Sequence, residues 1–324
     1  MNNVRPTVCV VVVSDYGGGS AADWNYLRHT LGALTSQSFT EGVEVILVDA
    51  TPPGQEMPAD LTTIVPSMRV MQDRTQSGRD LVNRAARACS ADLVALLDAD
   101  CVPAPGWLAA AVEAMRLHAD AAVVSGVTAY PDKNFTYRVL GLLLRSFVDP
   151  GRAGRTRFIT TNNAVFRRDV LVAHPIPPVE PRHLAYRLQT ESIRGAGGGL
   201  YFEPGMRVTH RFDGWSAERH IRRRVGYRAI RLRQLDRRAP HAWVIRFGVF
   251  SIPLIVAGRT LDSWQDCVRA GHHYGLRWFE FPMVFAIAVA VHVLEVGGMM
   301  AAFTAGRTEH RRVQAARDAG HQSS

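Results

Sequence analysis

Lysine is almost missing from this chain: of 38 Lys+Arg residues only Lys133 is a lysine, a skew that reads as coding bias more than chemistry. Cysteine is also scarce. Cys9, Cys89, Cys101 and Cys267 are scattered without a C-x-x-C pair, so neither a zinc site nor a disulfide framework follows, and reduced structural thiols are expected. Met1–Thr7 is short and polar and runs straight into Val8–Val13. It lacks the basic region and cleavage site of a secretory signal. Gly17-Gly18-Gly19 has neither G-x-G-x-x-G spacing nor a following Gly-Lys-Ser/Thr, so it reads as a flexible loop, not a dinucleotide or P-loop cradle. No internal repeat or low-complexity tract is present. The basic residues come without an aromatic stacking platform or zinc spacing, which argues against nucleic acid.

What is present is a formal net charge of +9, which suits anionic partners such as nucleoside diphosphates or acidic headgroups. A chain of 324 residues can bury a full core. Val8–Val13 is an unbroken β-branched and Cys run, the pattern of a strand buried on both faces. Asp23 is placed to cap a helix carrying Trp24, Leu27, Leu31 and Leu34 at helical spacing. A second strand is expected at Val43–Val48, a turn at Pro52-Pro53-Gly54, and a short third strand at Val70-Met71. A helix over Gly78–Cys89, a fourth strand at Leu93–Leu97, a helix over Gly106–Leu117 and a fifth strand at Ala121–Val127 follow. This alternation predicts an α/β fold with a mostly parallel sheet and flanking helices. Ligands of such sheets sit beyond the carboxyl ends of the strands. Asp15, Asp49, Asp98 and Asp100 all fall just after strand ends, so the fold should gather them on one rim.

Asp98-Ala99-Asp100 carries the most chemistry. Two carboxylates two residues apart, where a buried strand gives way to loop, can divide their work between a hard divalent cation and neighbouring hydroxyls or water. Alone, the tripeptide is most often a capped turn. Here Leu93–Leu97 precedes it, and Cys101-Val102-Pro103-Ala104-Pro105-Gly106-Trp107-Leu108 follows.

In that setting the chain resembles the family 2 glycosyltransferases, which have the GT-A (Rossmann-like) fold, in order across roughly residues 6–210. The resemblance implies an inverting, nucleotide-sugar-dependent enzyme with Mg²⁺ or Mn²⁺. It assigns Asp100 to the metal, Asp98 to ribose or metal-bound water, and Asp49 to the nucleoside base. Gly78-Arg79 and Asn83 would border the donor, as Asp15 would from the first loop. Thr161-Asn162-Asn163 is similar to a segment lining the acceptor side. Tyr201–Pro204 through Val208-Thr209-His210 resembles the closing strand, with His210 a third metal ligand or a structural histidine. The chain departs from the pattern at the catalytic base. Glu180-Pro181 stands where the family has Glu-Asp, so Glu180 and Glu191 remain the two carboxylates for that role, with Glu191 preferred because Pro181 makes its neighbour rigid. For either, a surface salt bridge is the plain alternative.

The second half reads less regularly. Phe158–Phe166 and Leu200–Val208 are strand-like. Glu218–Arg238 carries nine arginines around a stripe of Ile221, Val225, Ala229 and Leu232, a basic amphipathic helix suited to a membrane surface. Phe281–Gly306 is long enough to span, since about 20 apolar residues suffice, though Glu295 and His292 interrupt it. Phe247–Gly258 is shorter and contains Pro253. The expected organisation is a catalytic domain over 1–212, a basic connecting helix over 213–240, membrane-associated hydrophobic helices over 241–306 and a basic tail over 307–324. An even number of crossings, two or none, fits a cytoplasmic catalytic domain. Expected partners are a nucleotide-sugar, a glycan or lipid-linked acceptor and a membrane. Two rivals are a nucleotidyltransferase, disfavoured because Ser14–Ala22 has no basic residue, and a catalytically silent membrane-bound scaffold, favoured by Pro181.

Overall fold

The computed structural model describes residues 7–14, 24–51, 57–73, 77–132, 134–179, 182–237 and 239–321. Asp23 and the Pro52-Pro53-Gly54 turn lie outside them. The chain forms two compact units, residues 1–212 with 266–277, and residues 213–265 with 278–324.

In the first unit, β1 (Val8–Ser14) pairs in parallel with β2 (Val43–Asp49) and β4 (Leu93–Asp98), and β3 (Arg69–Gln72) extends the sheet from β2. Alternate β1 residues serve two cores. Val8, Val10 and Val12 pack with Leu27 and Leu31 of α1 (Asn25–Thr35) and with Trp107 and Leu108 of α4 (Trp107–Leu117). Cys9 and Val11 pack with Leu81, Val82 and Ala85 of α3 (Gly78–Ala88). Helices on both faces are why this strand has no polar alternation. A short α2 (Leu61–Ile64) adds Leu61 to the first core.

Beyond β4 the sheet is less parallel than the sequence predicts. β5 (Cys101–Pro103), β6 (Ala121–Ala129), β7 (Gly154–Arg155), β8 (Asn163–Arg167) and β9 (Gly199–His210) complete the order β3-β2-β1-β4-β8-β6-β9-β5, with β7 on β9. β8 runs antiparallel to both β4 and β6, and β5 and β7 run antiparallel to β9. The sheet is therefore mixed. α5 (Phe135–Arg145), α6 (Arg168–Ala173) and α7 (Arg182–Gly195) fill the connections. The strand expected over Phe158–Phe166 begins only at Asn163, because its first residues follow no neighbouring strand.

Asn163 is fully buried and holds this junction together. Its Oδ1 accepts from the Trp107 indole Nε1 at 2.8 Å, and its Nδ2 donates to the carbonyls of Val127 and Met206, both at 3.0 Å. With its amide spent inside the sheet, Asn163 does not line an acceptor surface.

The second unit is built from α8 (Trp215–Leu235), a 3₁₀ stretch at Ala242–Phe250, α9 (Ser251–Ala270) up to residue 265, and α10 (Phe281–His321). Ala242–Tyr274, whose last residues belong to the first unit, and Trp278–Ala305 are helical stretches long and apolar enough to cross a membrane by length and composition. The buried stripe of α8 is Glu218, Arg222, Gly226, Ala229, Ile230 and Arg233, one residue round from the expected Ile221–Val225 stripe. The reason is electrostatic: Arg222 packs inward because Glu218 and Glu295 meet it there, at 2.6 and 3.8 Å.

Candidate functional site

Parallel register brings the acidic residues to one rim. Ser14 stands opposite Asp49 on β2, and Val13 stands opposite Asp98 on β4. These are carboxyl ends of adjacent strands, where the loops that follow can hold a ligand. Asp15 lies outside the described residues.

Asp49 reaches the rim but turns into the protein. It is fully buried, with Oδ1 accepting from the Thr51 amide at 3.0 Å and Oδ2 from Gln72 Nε2 at 2.8 Å. Its carboxylate ties Thr51 to Gln72 and has no exposed surface. Gln72, at the end of β3, was not singled out from the sequence; a polar residue closing a short strand gives no signal on its own.

Asp98 lines an open cleft with Val13, Gly78, Arg79, Thr161, Ile176 and Tyr186. Ser77 caps α3 by accepting from the Asp80 amide at 3.3 Å, which sets the first turn of the helix beside the cleft. Arg79 Nη1 donates to the Val179 carbonyl at 2.5 Å. Asn83, expected at the donor, instead clasps Ile176: Nδ2 donates to its carbonyl and Oδ1 accepts from its amide, each at 2.9 Å. Its amide is consumed in shaping the cleft wall.

Two residues, Ala99 and Asp100, separate β4 from β5, and β5 pairs with the end of β9 so that Cys101 faces His210 in register. The Arg211 amide donates to the Asp100 carbonyl at 3.1 Å, pinning the two segments. Ligand atoms of Asp100, Cys101 and His210 lie within 4.8 Å of one another. Asp100 Oδ2 stands 3.3 Å from His210 Nε2, with both side chains about one-fifth exposed.

The histidine tautomer makes this pair informative. His210 Nδ1 lies 2.7 Å from the Arg211 carbonyl, which can only accept, so Nδ1 carries the hydrogen. In the neutral ring Nε2 then presents a lone pair toward a carboxylate oxygen. Two electron-rich atoms at this distance call for a cation or a proton between them. A carboxylate oxygen and an imidazole nitrogen suit Mn²⁺ or Mg²⁺, with water and phosphate oxygens completing the shell. Cys101 does not fit such an ion. Burial, helped by the Asp100 and Asp98 carboxylates, pushes its thiol well above the usual range, so it stays protonated and soft.

Of the two glutamates expected as base, Glu180 lies outside the described residues. Glu191 is on α7, with Oε1 accepting from Arg187 Nε at 3.1 Å. It follows Tyr186, which lines the cleft, by five positions, about 140° round the helix. The helix therefore does not carry the two side chains on one face, and Glu191 is engaged in a part-buried ion pair with Arg187.

The sequence matches the family described as Glycosyl transferase family 2 over residues 11–174. Among solved structures the chain is similar to the mannosyltransferase PcManGT from Pyrobaculum calidifontis in complex with GDP-Man and Mn2+. Identity is 17% and the TM-score 0.51, over 95% of this chain and 87% of that one. It is also similar to GalNAc-T7 with UDP, GalNAc and Mn2+, at 15% identity and TM-score 0.46, over 66% of this chain and 46% of that one. The chain thus spans less than half the length of the GalNAc-T7 chain. No curated protein matches the sequence.

Proposed function

The chain belongs to glycosyl transferase family 2 and is a glycosyltransferase; from that premise we propose that it moves a sugar from a nucleoside diphosphate donor to an acceptor hydroxyl, with inversion, at a membrane. The observation that carries the reading is the Asp100–His210 pair, a carboxylate oxygen and an imidazole nitrogen 3.3 Å apart, two residues along the chain from Asp98 of the cleft. The PcManGT structure contains GDP-Man with Mn2+, which agrees with a divalent cation held by Asp100 and His210. Such an ion, when bound, supplies positive charge against the diphosphate as it leaves.

The chain's own groups account for the rest. Asp98 and Arg79 border the cleft from β4 and α3 and are assigned to the donor. Asp49 acts at one remove, by fixing the turn through Thr51 and the Gln72 amide. The acceptor oxygen attacks the anomeric carbon from the face opposite the diphosphate. As the new C–O bond forms, the bond to the diphosphate breaks, and a carboxylate takes the hydroxyl proton.

We assign that proton to Glu180. Its chain neighbour Val179 is hydrogen-bonded to Arg79 on the cleft wall, whereas Glu191 is engaged by Arg187. This proposal departs from the preference for Glu191 inferred from sequence. The exposed apolar faces of α9 and α10 support the membrane setting. A cytoplasmic face suits the arginines of α8, since anionic headgroups attract them; a lipid-linked or glycan acceptor follows from location.

The reading is tested by incubating the purified chain with UDP- and GDP-sugars and following release of free nucleotide. We expect at least one donor to be turned over with Mn²⁺ or Mg²⁺ and none after chelation. Metal-independent transfer, or capture of a nucleoside triphosphate instead, would favour the nucleotidyltransferase reading.

A further inference from the structure

The apolar helices look like a spanning hairpin by length, yet two sets of contacts oppose every way of threading them through a bilayer. The first concerns the turn between α9 and α10. Residues 266–277 fold with residues 1–212 as part of the first unit. His273 Nδ1 lies 2.7 Å from Asp149 Oδ2, and Arg269 Nε donates to the Asp149 carbonyl at 2.9 Å. Arg207 Nη1 donates to the His273 carbonyl at 2.8 Å, and Ser146 Oγ donates to Asp266 Oδ2 at 2.9 Å. A two-crossing hairpin would carry this turn to the far side of the membrane, away from every one of those partners.

The second set concerns a single crossing by α10. α8 runs alongside α10 in the same direction. Arg222 meets Glu295, while Ile230 packs with Met299, Ala302 and Phe303. The two backbones touch: a Cβ on Gly226 would stand 2.0 Å from the Glu295 carbonyl oxygen, and one on Gly298 would stand 1.8 Å from that of Arg223. Glu295 is fully buried between Arg222, Arg259 at 2.9 Å and His292 at 3.3 Å, so the helices are bound by charge as well as by fit. On the outer side of this stretch Arg219, Arg223 and Arg224 are exposed. If α10 crossed, they would enter hydrocarbon beside its middle, where an unpaired arginine is costly.

The exposed surface has a different logic. The outward residues of α10 are apolar along the helix, among them Met283, Phe285, Val289, Val293, Leu294 and Met300. Leu254 and Leu261 of α9 are exposed too, as are Trp243 and Phe250 of the 3₁₀ stretch before it. Arg246 stacks its guanidinium over Trp243 and Phe247, at 5.4 and 4.8 Å, an aromatic and cationic mix at home among headgroups.

We propose that α8, α9 and α10 form a monotopic membrane anchor that lies in the plane of one leaflet and crosses nothing. The apolar faces of α9 and α10 sink among acyl chains, and the exposed arginines of α8 meet anionic headgroups. The proposal rests on the membrane setting given under Proposed function.

Single cysteines at Ser216, His272 and Ser324 test it in the full chain, whose four native cysteines are buried. Each variant is added to preformed vesicles of phosphatidylcholine with phosphatidylglycerol, floated on a density gradient, and treated outside with a membrane-impermeant maleimide. The expected result is flotation that survives high salt, with all three sites labelled without detergent. Labelling of His272→Cys only after detergent would show a two-crossing hairpin, and labelling of Ser324→Cys only after detergent a single crossing; either overturns the proposal. Failure to float, with a dimer in detergent-free buffer, would mean the apolar face meets a second copy. That outcome removes the membrane setting itself while leaving transferase activity to be judged separately. As a second reading, changing Arg219, Arg223 and Arg224 together to Gln should lower binding to the anionic vesicles roughly tenfold or more. Unchanged binding would overturn the headgroup role.

Discussion

Glu180 and Glu191 make opposite demands on a mutational test. A carboxylate that accepts the acceptor's proton contributes on the order of 10²–10⁴ to the rate, and its amide cannot replace it. Glu180→Gln should therefore reduce turnover by roughly a hundredfold or more with donor affinity retained, while Glu191→Gln should cost little, because it removes only a partly exposed ion pair with Arg187. Steady-state rates and donor binding for both variants check this. If Glu191→Gln is the inactive one, the assignment is reversed; if neither matters, a silent scaffold is the better account. Asn163 belongs to stability, not chemistry. Asn163→Ala leaves the Trp107 indole and two strand carbonyls without their partner. A loss of about 3 kcal/mol in denaturant unfolding is expected, given roughly 1–3 kcal/mol per buried orphan group.

At the scale of elements, the first half of the chain announces itself. β1, β4 and the second half of β2 are buried on both faces, so their sequences are nearly continuous apolar runs, and α1, α3 and α4 have the complementary periodicity. β5, β7 and β8 are a different case. They are short, and what fixes them is pairing with β9, β4 and β6, strands distant in sequence, so local pattern missed β5 and β7 and started β8 five residues too early. The inner face of α8 was hidden for a related reason. Arg222 is buried only because Glu218 and Glu295 wait for it, and a hydrophobic stripe cannot reveal a buried charge. The α8–α10 packing gives its own test. Gly298→Val must drive the two backbones apart, since a Cβ alone would sit 1.8 Å from the Arg223 carbonyl oxygen. Overpacking of this kind costs about 1–3 kcal/mol, visible as earlier unfolding of the second unit while the glycosyltransferase unit keeps its transition.

For the molecule as a whole, the rim of aspartates was legible from the order of strands, because parallel sheets place their loops predictably. Which aspartates face outward was not. Asp49 and Asp98 both close buried strands, yet Asp49 is sealed by Thr51 and Gln72 while Asp98 opens on the cleft. His210 was recognisable as a residue near the site. Its pairing with Asp100 depends on the β5–β9 ladder and on the Arg211 carbonyl that fixes its tautomer. The account turns on that pair holding a divalent cation against a diphosphate. The direct measurement is calorimetric titration of UDP and GDP into the purified chain, with and without Mn²⁺, for the wild type and for Asp100→Ala. Binding of at least one nucleotide should require the metal, vanish on chelation, and be lost in Asp100→Ala with its circular dichroism unchanged, the loss of a hard ligand leaving the diphosphate charge uncompensated. Equal binding without metal, or an Asp100→Ala variant that binds as the wild type does, would contradict it.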